Sequence, residues 1–333
     1  MDTHAITNTA GHARIVVPLD GSTLSEAALP FAALLARASH GTIHLARVHV
    51  PLVTSIDVGY TLPDFEEEIR QGEHDYLASA ARRLATDAQV PAGVQLLEGQ
   101  IGPAIRSHVE HVGATLVVVS THGRTGLTRM WLGSTTDWFV RFLPVPVMVV
   151  RPRDEATPLV PSFAHVLIAL DGSARSEAII PDAIQLGRLH GARYTLLQVV
   201  PTIVRELAPY PAPTFPPVRD EGRMVELMRR AKDSLESIAE SLRREFAGLD
   251  VRTEVVSSDR VAESILDRAQ AGNAGVIALS SHGRGASRLL VGSVADKVLR
   301  GFSGALLVLG PAAVREPRHA ERMTEQETTT GMR

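Results

Sequence analysis

Short runs of β-branched and aliphatic residues recur along the chain, each followed by a longer stretch whose apolar positions return every three or four residues. Ile15-Val-Val-Pro-Leu19 is one such run, and strands are expected near residues 14–19, 42–50, 93–98, 115–120 and 145–151. Helices are expected between them, near residues 23–39, 65–87, 102–112 and 134–142. The strand runs are nearly continuous in apolar character, so both faces of their sheet should be buried. Buried strands alternating with helices describe an α/β fold with a doubly wound parallel sheet, whose ligands sit at the carboxyl ends of the strands.

The unit is written twice. Arg14-Ile-Val-Val-Pro-Leu-Asp20-Gly-Ser22 returns as His165-Val-Leu-Ile-Ala-Leu-Asp171-Gly-Ser173. Each then enters an apolar helical stretch that closes on His-Gly, at His40-Gly41 and His190-Gly191. Leu116-Val-Val-Val-Ser-Thr-His122-Gly-Arg124 likewise returns as Val276-Ile-Ala-Leu-Ser-Ser-His282-Gly-Arg284. Segments repeated in the same order mean duplicated domains. The 333 residues divide into a tail (1–12), a first domain (13–152), a proline-bearing linker (153–163), a second domain (164–311) and a tail (312–333). The proline-rich stretch from Pro201 to Pro217 reads as a loop.

Composition narrows the function. With 44% apolar and 21% charged residues the chain is an ordinary globular one, and with only 4% aromatics its cores must be aliphatic. A net charge of −3 gives no general attraction to nucleic acid or anionic membranes, and neither is an expected partner. There is no cysteine, which excludes disulfides, thiolate nucleophiles and cysteine-ligated metals. The amino terminus has no apolar signal core and no run reaches the roughly 18 apolar residues of a membrane span. A cytoplasmic location is therefore expected. The lysines are Lys232 and Lys297, so the Gly-Lys-Ser/Thr of a Walker loop is absent.

Chemistry concentrates between residues 120 and 135. Gly123, Gly126 and Gly133 lie where an apolar strand gives way to a helix that starts at Ser134. Glycines let backbone amides approach an anion closely, and a helix amino terminus offers unpaired donors. Alone, such glycines equally well serve a steric turn. Joined to the strand-ending Asp-Gly-Ser and the duplication, however, the segment resembles the universal stress protein family, over nearly the whole chain outside the tails. ATP-binding members carry Gly-x-x-Gly, nine residues, then Gly followed by Ser or Thr. Gly123, residues 124–132, Gly133 and Ser134 match, while Ser120 stands at the first glycine.

The resemblance implies two five-stranded sheets of order 3-2-1-4-5, frequent pairing of domains through fifth strands, and ATP, with or without Mg²⁺, as ligand. It places adenine among Pro18, Leu19, Asp20, Val50 and Val119, with Asp20 toward the ribose. Gly123, Gly133, Ser134 and Thr135 would meet the phosphates, in a loop that also holds Ser120, His122 and Arg124. Val48-His49-Val50 resembles the family's Leu-His-Val, and Gly99 the glycine that opens the third helix. In copy two the corresponding residues Asp171, Val200, Leu279, Gly283, Gly292 and Ser293 form a weaker site. There Ser280 replaces the first glycine, eight residues instead of nine separate Gly283 from Gly292, Ala169 replaces Pro18, Val199 replaces His49 and Asp259 replaces Gly99.

Other polar residues have plainer readings. His122 and His282 shape their loops, and Asp20 and Asp171 cap a helix or hold a ribose. His44 and His49 are five apart in one strand and face opposite ways. His108 and His111 form a solvated face, and the Glu66-Glu67-Glu68 run opens a helix. Arg124 and Arg129 are the cations nearest the phosphates, and Trp131 and Trp138 serve a partner or pack on their own domain. The expected protein is a nucleotide-dependent stress or growth-arrest regulator that binds without turnover and forms homodimers, with no catalytic or metal-ligating residue. A slow ATPase or self-phosphorylating protein, and a scaffold without nucleotide, are the alternatives.

Overall fold

A computed structural model describes residues 12–51, 63–121, 133–152, 159–202, 204–205, 218–219, 221–281 and 292–314. Residues 1–11 and 315–333 of the tails, residues 153–158 of the linker, most of the proline-rich stretch, and His122, Gly123, Arg124, Arg129, Trp131, His282 and Gly283 lie outside the described residues. Copy one runs β1 (Arg14–Pro18), α1 (Thr23–Glu26), α2 (Leu29–Ala38), β2 (Thr42–His49), α3 (Pro63–Asp87), β3 (Ala92–Glu98), α4 (Ile101–His111), β4 (Leu116–Ser120), α5 (Ser134–Phe142) and β5 (Val147–Val150). Copy two runs β6 (His165–Leu170), α6 (Ala174–Glu177), α7 (Ile180–Arg188), β7 (Arg193–Val200), β8 (Val204–Arg205), β9 (Val218–Arg219), α8 (Glu221–Glu245), β10 (Val251–Ser257), α9 (Val261–Ala271), β11 (Val276–Ser280), α10 (Ser293–Gly301) and β12 (Ala305–Leu309). The two-residue strands β8 and β9 form a small antiparallel pair of their own.

Within each copy the strands are parallel and ordered 3-2-1-4-5, as the resemblance implied. The two sheets are not separate. β5 pairs antiparallel with β12, giving one ten-stranded sheet of order β10-β7-β6-β11-β12-β5-β4-β1-β2-β3. Central strands such as Val147–Val150 and Ala305–Leu309 are buried at every position. One core runs continuously across both copies beneath α2, α3, α7 and α8. The other lies beneath α4, α5, α9 and α10.

The helix expected over 23–39 is broken into α1 and α2, because Pro30 has no N–H to donate back to the carbonyl of Glu26. Pro181 divides α6 from α7 in the same way. Three contacts lock the seam between copies. The Arg151 guanidinium donates to the carbonyls of Leu299, at 3.0 Å, and Arg300, setting a cation on the carboxyl end of α10. Gly310 lies so close to the Val140 carbonyl that a Cβ would come within 1.6 Å of it. Phe31 meets Phe163 edge-on, with ring centroids 6.1 Å apart.

Candidate functional site

The carboxyl edge of copy one is built from the turns after β1, β2, β3 and β4. After β1, Gly21 takes φ +88°, a conformation that glycine adopts without strain, and turns the chain into α1. Ser22 caps α1 by accepting from the Ser25 amide at 3.0 Å. Asp20 is not itself the cap. Its Oδ1 accepts from the Ser22 amide at 2.9 Å and the Ser22 hydroxyl at 2.6 Å, so it orients the capping residue. Partial burial pushes the Asp20 carboxyl up, but the Ser22 hydrogen bonds outweigh it and hold the group below its ordinary range. The carboxylate is ionised and exposed at the edge, fit to accept from a ribose hydroxyl.

Leu19 and Val119 are buried at the ends of their strands, in the cores on opposite faces of the sheet, Pro18 is half-buried, and Val50 is 58% exposed. These are the apolar surfaces on which a base could lie. Gly99 takes φ +101°, which lets β3 reach α4 in two residues. At the head of α5, Gly133 is the N-cap and makes no side-chain cap, so the amides of Ser134, Thr135 and Thr136 begin the helix without an intrahelical partner. Among the described residues nothing stands within 4 Å of where a Gly133 Cβ would be. Ser120 does different work. Its hydroxyl donates to the Leu24 carbonyl and ties the last turn of α1 to β4.

Copy two repeats the turn chemistry. Asp171 Oδ1 accepts from Ser173, Ser173 caps α6, and Ser280 donates to the Arg175 carbonyl at 2.9 Å. At the head of α10, Gly292 is likewise an N-cap without a side-chain cap, but it sits against the strand end. The Gly292 amide donates to the Ser281 carbonyl at 2.9 Å, and a Cβ on Gly292 would stand 2.7 Å from that oxygen. Asp259 is not a simple replacement of Gly99, because three residues join β10 to α9, with the Ser258 hydroxyl accepting from the Arg260 amide at 3.1 Å. Strand register also corrects one alignment. Ile15 faces Ile43 and Val166 faces Tyr194, so Val200, not Val199, is the counterpart of His49. The two copies have equal spacing from the first strand to the second; it is His190-Gly191 that sits one position early, since Gly191 takes the positive φ that His40 has in copy one, and a slip of one along a strand exchanges its faces.

Sequence reading missed a charged cluster beside the copy-one edge. His49 is 1% exposed, with Nδ1 2.7 Å from Glu73 Oε2 and Nε2 2.5 Å from Glu66 Oε1. Arg47 bonds the other oxygen of Glu73 at 2.9 Å and lies directly beneath Gly21. Arg70 pairs with Glu98 on the neighbouring strand. The acidic run at the start of α3 was the available signal, but Glu66 meets His49 from 17 positions away, and the pairs made by Glu73 and Arg70 span 24 to 28.

His44 turns to the other sheet face, toward α4, as the pleat requires. There it meets His108, which is buried, not solvated as its helical spacing suggested; ring centroids are 6.1 Å apart. Burial pushes both imidazoles below their ordinary value. Trp138 packs on Gly102 of α4. Among the described residues no three His, Asp or Glu side chains gather so as to hold a metal ion, and no helix is long and apolar enough to cross a membrane.

Residues 12–151 and again 162–310 match the universal stress protein family. A universal stress protein of Mycobacterium tuberculosis is 26% identical over 318 residues, covering 88% of this chain and 94% of its own. Another from Mycolicibacterium smegmatis is 27% identical over 306 residues, covering 89% and 97%. Among solved structures, a universal stress protein from Archaeoglobus fulgidus superposes with a TM-score of 0.65 at 18% identity, over 89% of this chain and 98% of that one.

Proposed function

Because the chain belongs to the universal stress protein family, with two copies of its domain, we propose that it is an adenine-nucleotide-binding regulator whose ATP site lies in copy one. The observation that carries this is the difference between the two helix heads. In copy one Gly133 is unobstructed among the described residues and three uncapped amides follow it. In copy two the equivalent glycine is bonded to Ser281. A polyphosphate needs several donors converging at once; both heads leave three helical amides uncapped, and what sets copy one apart is the open approach to Gly133 among the described residues, where Gly292 has its own amide taken by Ser281.

In this reading the adenine lies on Leu19, Val50 and Val119 beside Pro18, and Asp20 accepts from the ribose. The phosphates meet Gly133, Ser134 and Thr135 together with Gly123 and Arg124, and Gly99 keeps the neighbouring rim low. Mg²⁺ accompanying ATP would be carried on the phosphates. The protein acts in the cytoplasm by binding, altering how it meets partners under stress or growth arrest. Since β5 and β12 already pair within one chain, a homodimer uses another surface.

Calorimetric titration of the whole chain with ATP tests the reading. One site per chain is expected, and Gly133→Glu should abolish it in a folded protein, because a carboxylate would occupy the phosphate position. Two equal sites, or unchanged affinity in the variant, would overturn it. Recovery of the ligand as ADP would favour turnover instead.

A further inference from the structure

The Asp-Gly-Ser turn and α1 are shared by both copies, but the way the long second-layer helix is held to the sheet is not. In copy one, α3 is fastened to the ends of β2 and β3 by charge. His49 lies between Glu66 and Glu73, Arg47 holds the second oxygen of Glu73, and Arg70 holds Glu98, the register partner of His49. In copy two, α8 has the same length of 25 residues as α3. Leu235 and Leu242 stand where α3 has Leu77 and Leu84, all buried. At the positions of Glu66, Arg70 and Glu73 it carries Met224, Met228 and Ala231, and β7 offers Gln198 and Val200 in place of Arg47 and His49. Met224 rests on Ser257, the counterpart of Glu98.

Both ring nitrogens of His49 lie within hydrogen-bond distance of a carboxylate oxygen. Only the imidazolium has two N–H donors, so a neutral ring would turn a lone pair toward one carboxylate and leave two acidic groups facing each other. We propose that His49 is a proton-operated latch: charged, it clamps the start of α3 to the ligand edge of copy one, and on losing its proton it frees that helix end and weakens ligand binding there. This rests on the nucleotide site proposed above. The mechanical link is Arg47, which joins Glu73 to the underside of Gly21, next to Asp20.

The hydrogen bond to Glu66 holds the His49 imidazolium above its ordinary value; burial opposes this and Glu73 reinforces it. The groups facing His49 are Glu66 and Glu73 from α3 and Glu98 from β3, with Arg47 beside it and Arg70 neutralising Glu98. A raised folded value means that the latch contributes fully below the unfolded value near 6.5 and is lost as pH rises through the folded one.

Amide hydrogen exchange on the full, ligand-free chain between pH 6 and 10 tests the latch, with α8 as internal reference. Protection of the first turns of α3 should fall relative to α8 as pH rises, by on the order of tenfold. Carrying the copy-two residues into copy one (Arg47→Gln, His49→Val, Glu66→Met, Glu73→Ala) should remove the pH dependence. Glu66→Gln alone should remove most of it should the fourfold variant not fold. Protection of α3 that tracks α8 at every pH, or a pH dependence that survives these changes, would overturn the proposal. ATP titrations over the same range form the second arm. Affinity should decline with pH in the parent and stay flatter in Glu66→Gln, whereas identical profiles would uncouple latch and site. Absence of ATP binding in every protein would sink the nucleotide reading, and the exchange arm would still decide the latch.

Discussion

Ser120 stands where the family's loop motif has its first glycine, and sequence alone could only treat it as a small residue that tolerates a nearby phosphate. Its hydroxyl is spent on the Leu24 carbonyl, and Ser280 does the same for Arg175. Ser120→Gly should therefore restore the motif without improving ATP affinity, and should lower stability by about 1 kcal/mol in urea unfolding. A gain in affinity would show that the serine had obstructed the cradle. Asp182 was not singled out at all, because an acid in a first helical turn looks like an ordinary dipole partner. It takes the place of Phe31 in copy two, is 1% exposed, and its Oδ1 has no hydrogen-bond partner. Burial pushes its carboxyl from 3.8 up to about 8, so at neutral pH it is folded as the acid while the unfolded chain carries the anion. Folding then takes up a proton: stability should fall between about pH 4 and pH 8, by at most ~1.4 kcal/mol per pH unit, and level off above. Asp182→Leu should stabilise the protein far more at pH 8 than at pH 4.5, and an equal gain at both would show that the carboxyl has a partner.

Contacts between helices reuse one solution with the parts exchanged. On α4 and α5 a glycine, Gly102, makes room for Trp138, whose ring atoms would stand 2.5–2.8 Å from an added Cβ. On α9 and α10 the glycine is Gly301 of the later helix and the intruding side chain is Leu266 of the earlier one, 2.2 Å from an added Cβ. Gly102→Ala should cost about 1–3 kcal/mol in denaturant unfolding, and much of that should return when Trp138 is also cut to Leu. Additive losses in the double variant would mean that the two residues are not in contact. Elements of this kind were legible because their signals are local: strands are continuous apolar runs, and helices carry a three-to-four repeat. What escaped was set by single residues or by distant ones. Pro30 and Pro181 split helices that periodicity ran together. Aligning the copies on His-Gly set Val199 against His49, but that pair sits one position early in copy two and the register makes Val200 the counterpart. The fastening of α3 depends on pairs between β2 or β3 and a helix far along the chain, invisible until the sheet is assembled.

At the scale of the whole molecule the duplication has become one folding body. The β5–β12 pair, the Arg151 contacts on α10 and two cores that each run through both copies leave no boundary at which one half could unfold alone. Thermal unfolding should be a single transition with matching calorimetric and van't Hoff enthalpies, and Leu306→Pro should destabilise both copies together, since the backbone groups of alternate β12 residues from Gly304 on face β5 and the change removes a ladder donor at the seam. Two resolved transitions would show independent domains. The antiparallel seam has one more result. Parallel strands within each copy and a reversal between copies send the two sets of strand carboxyl ends to opposite rims of the sheet. The heads of α5 and α10 thus look away from each other across the width of the sheet. With ligand held only in copy one, as proposed, such a molecule would have polarity: one end whose surface changes with what it holds and one that stays constant, so that a partner gripping the constant end would leave the variable one displayed.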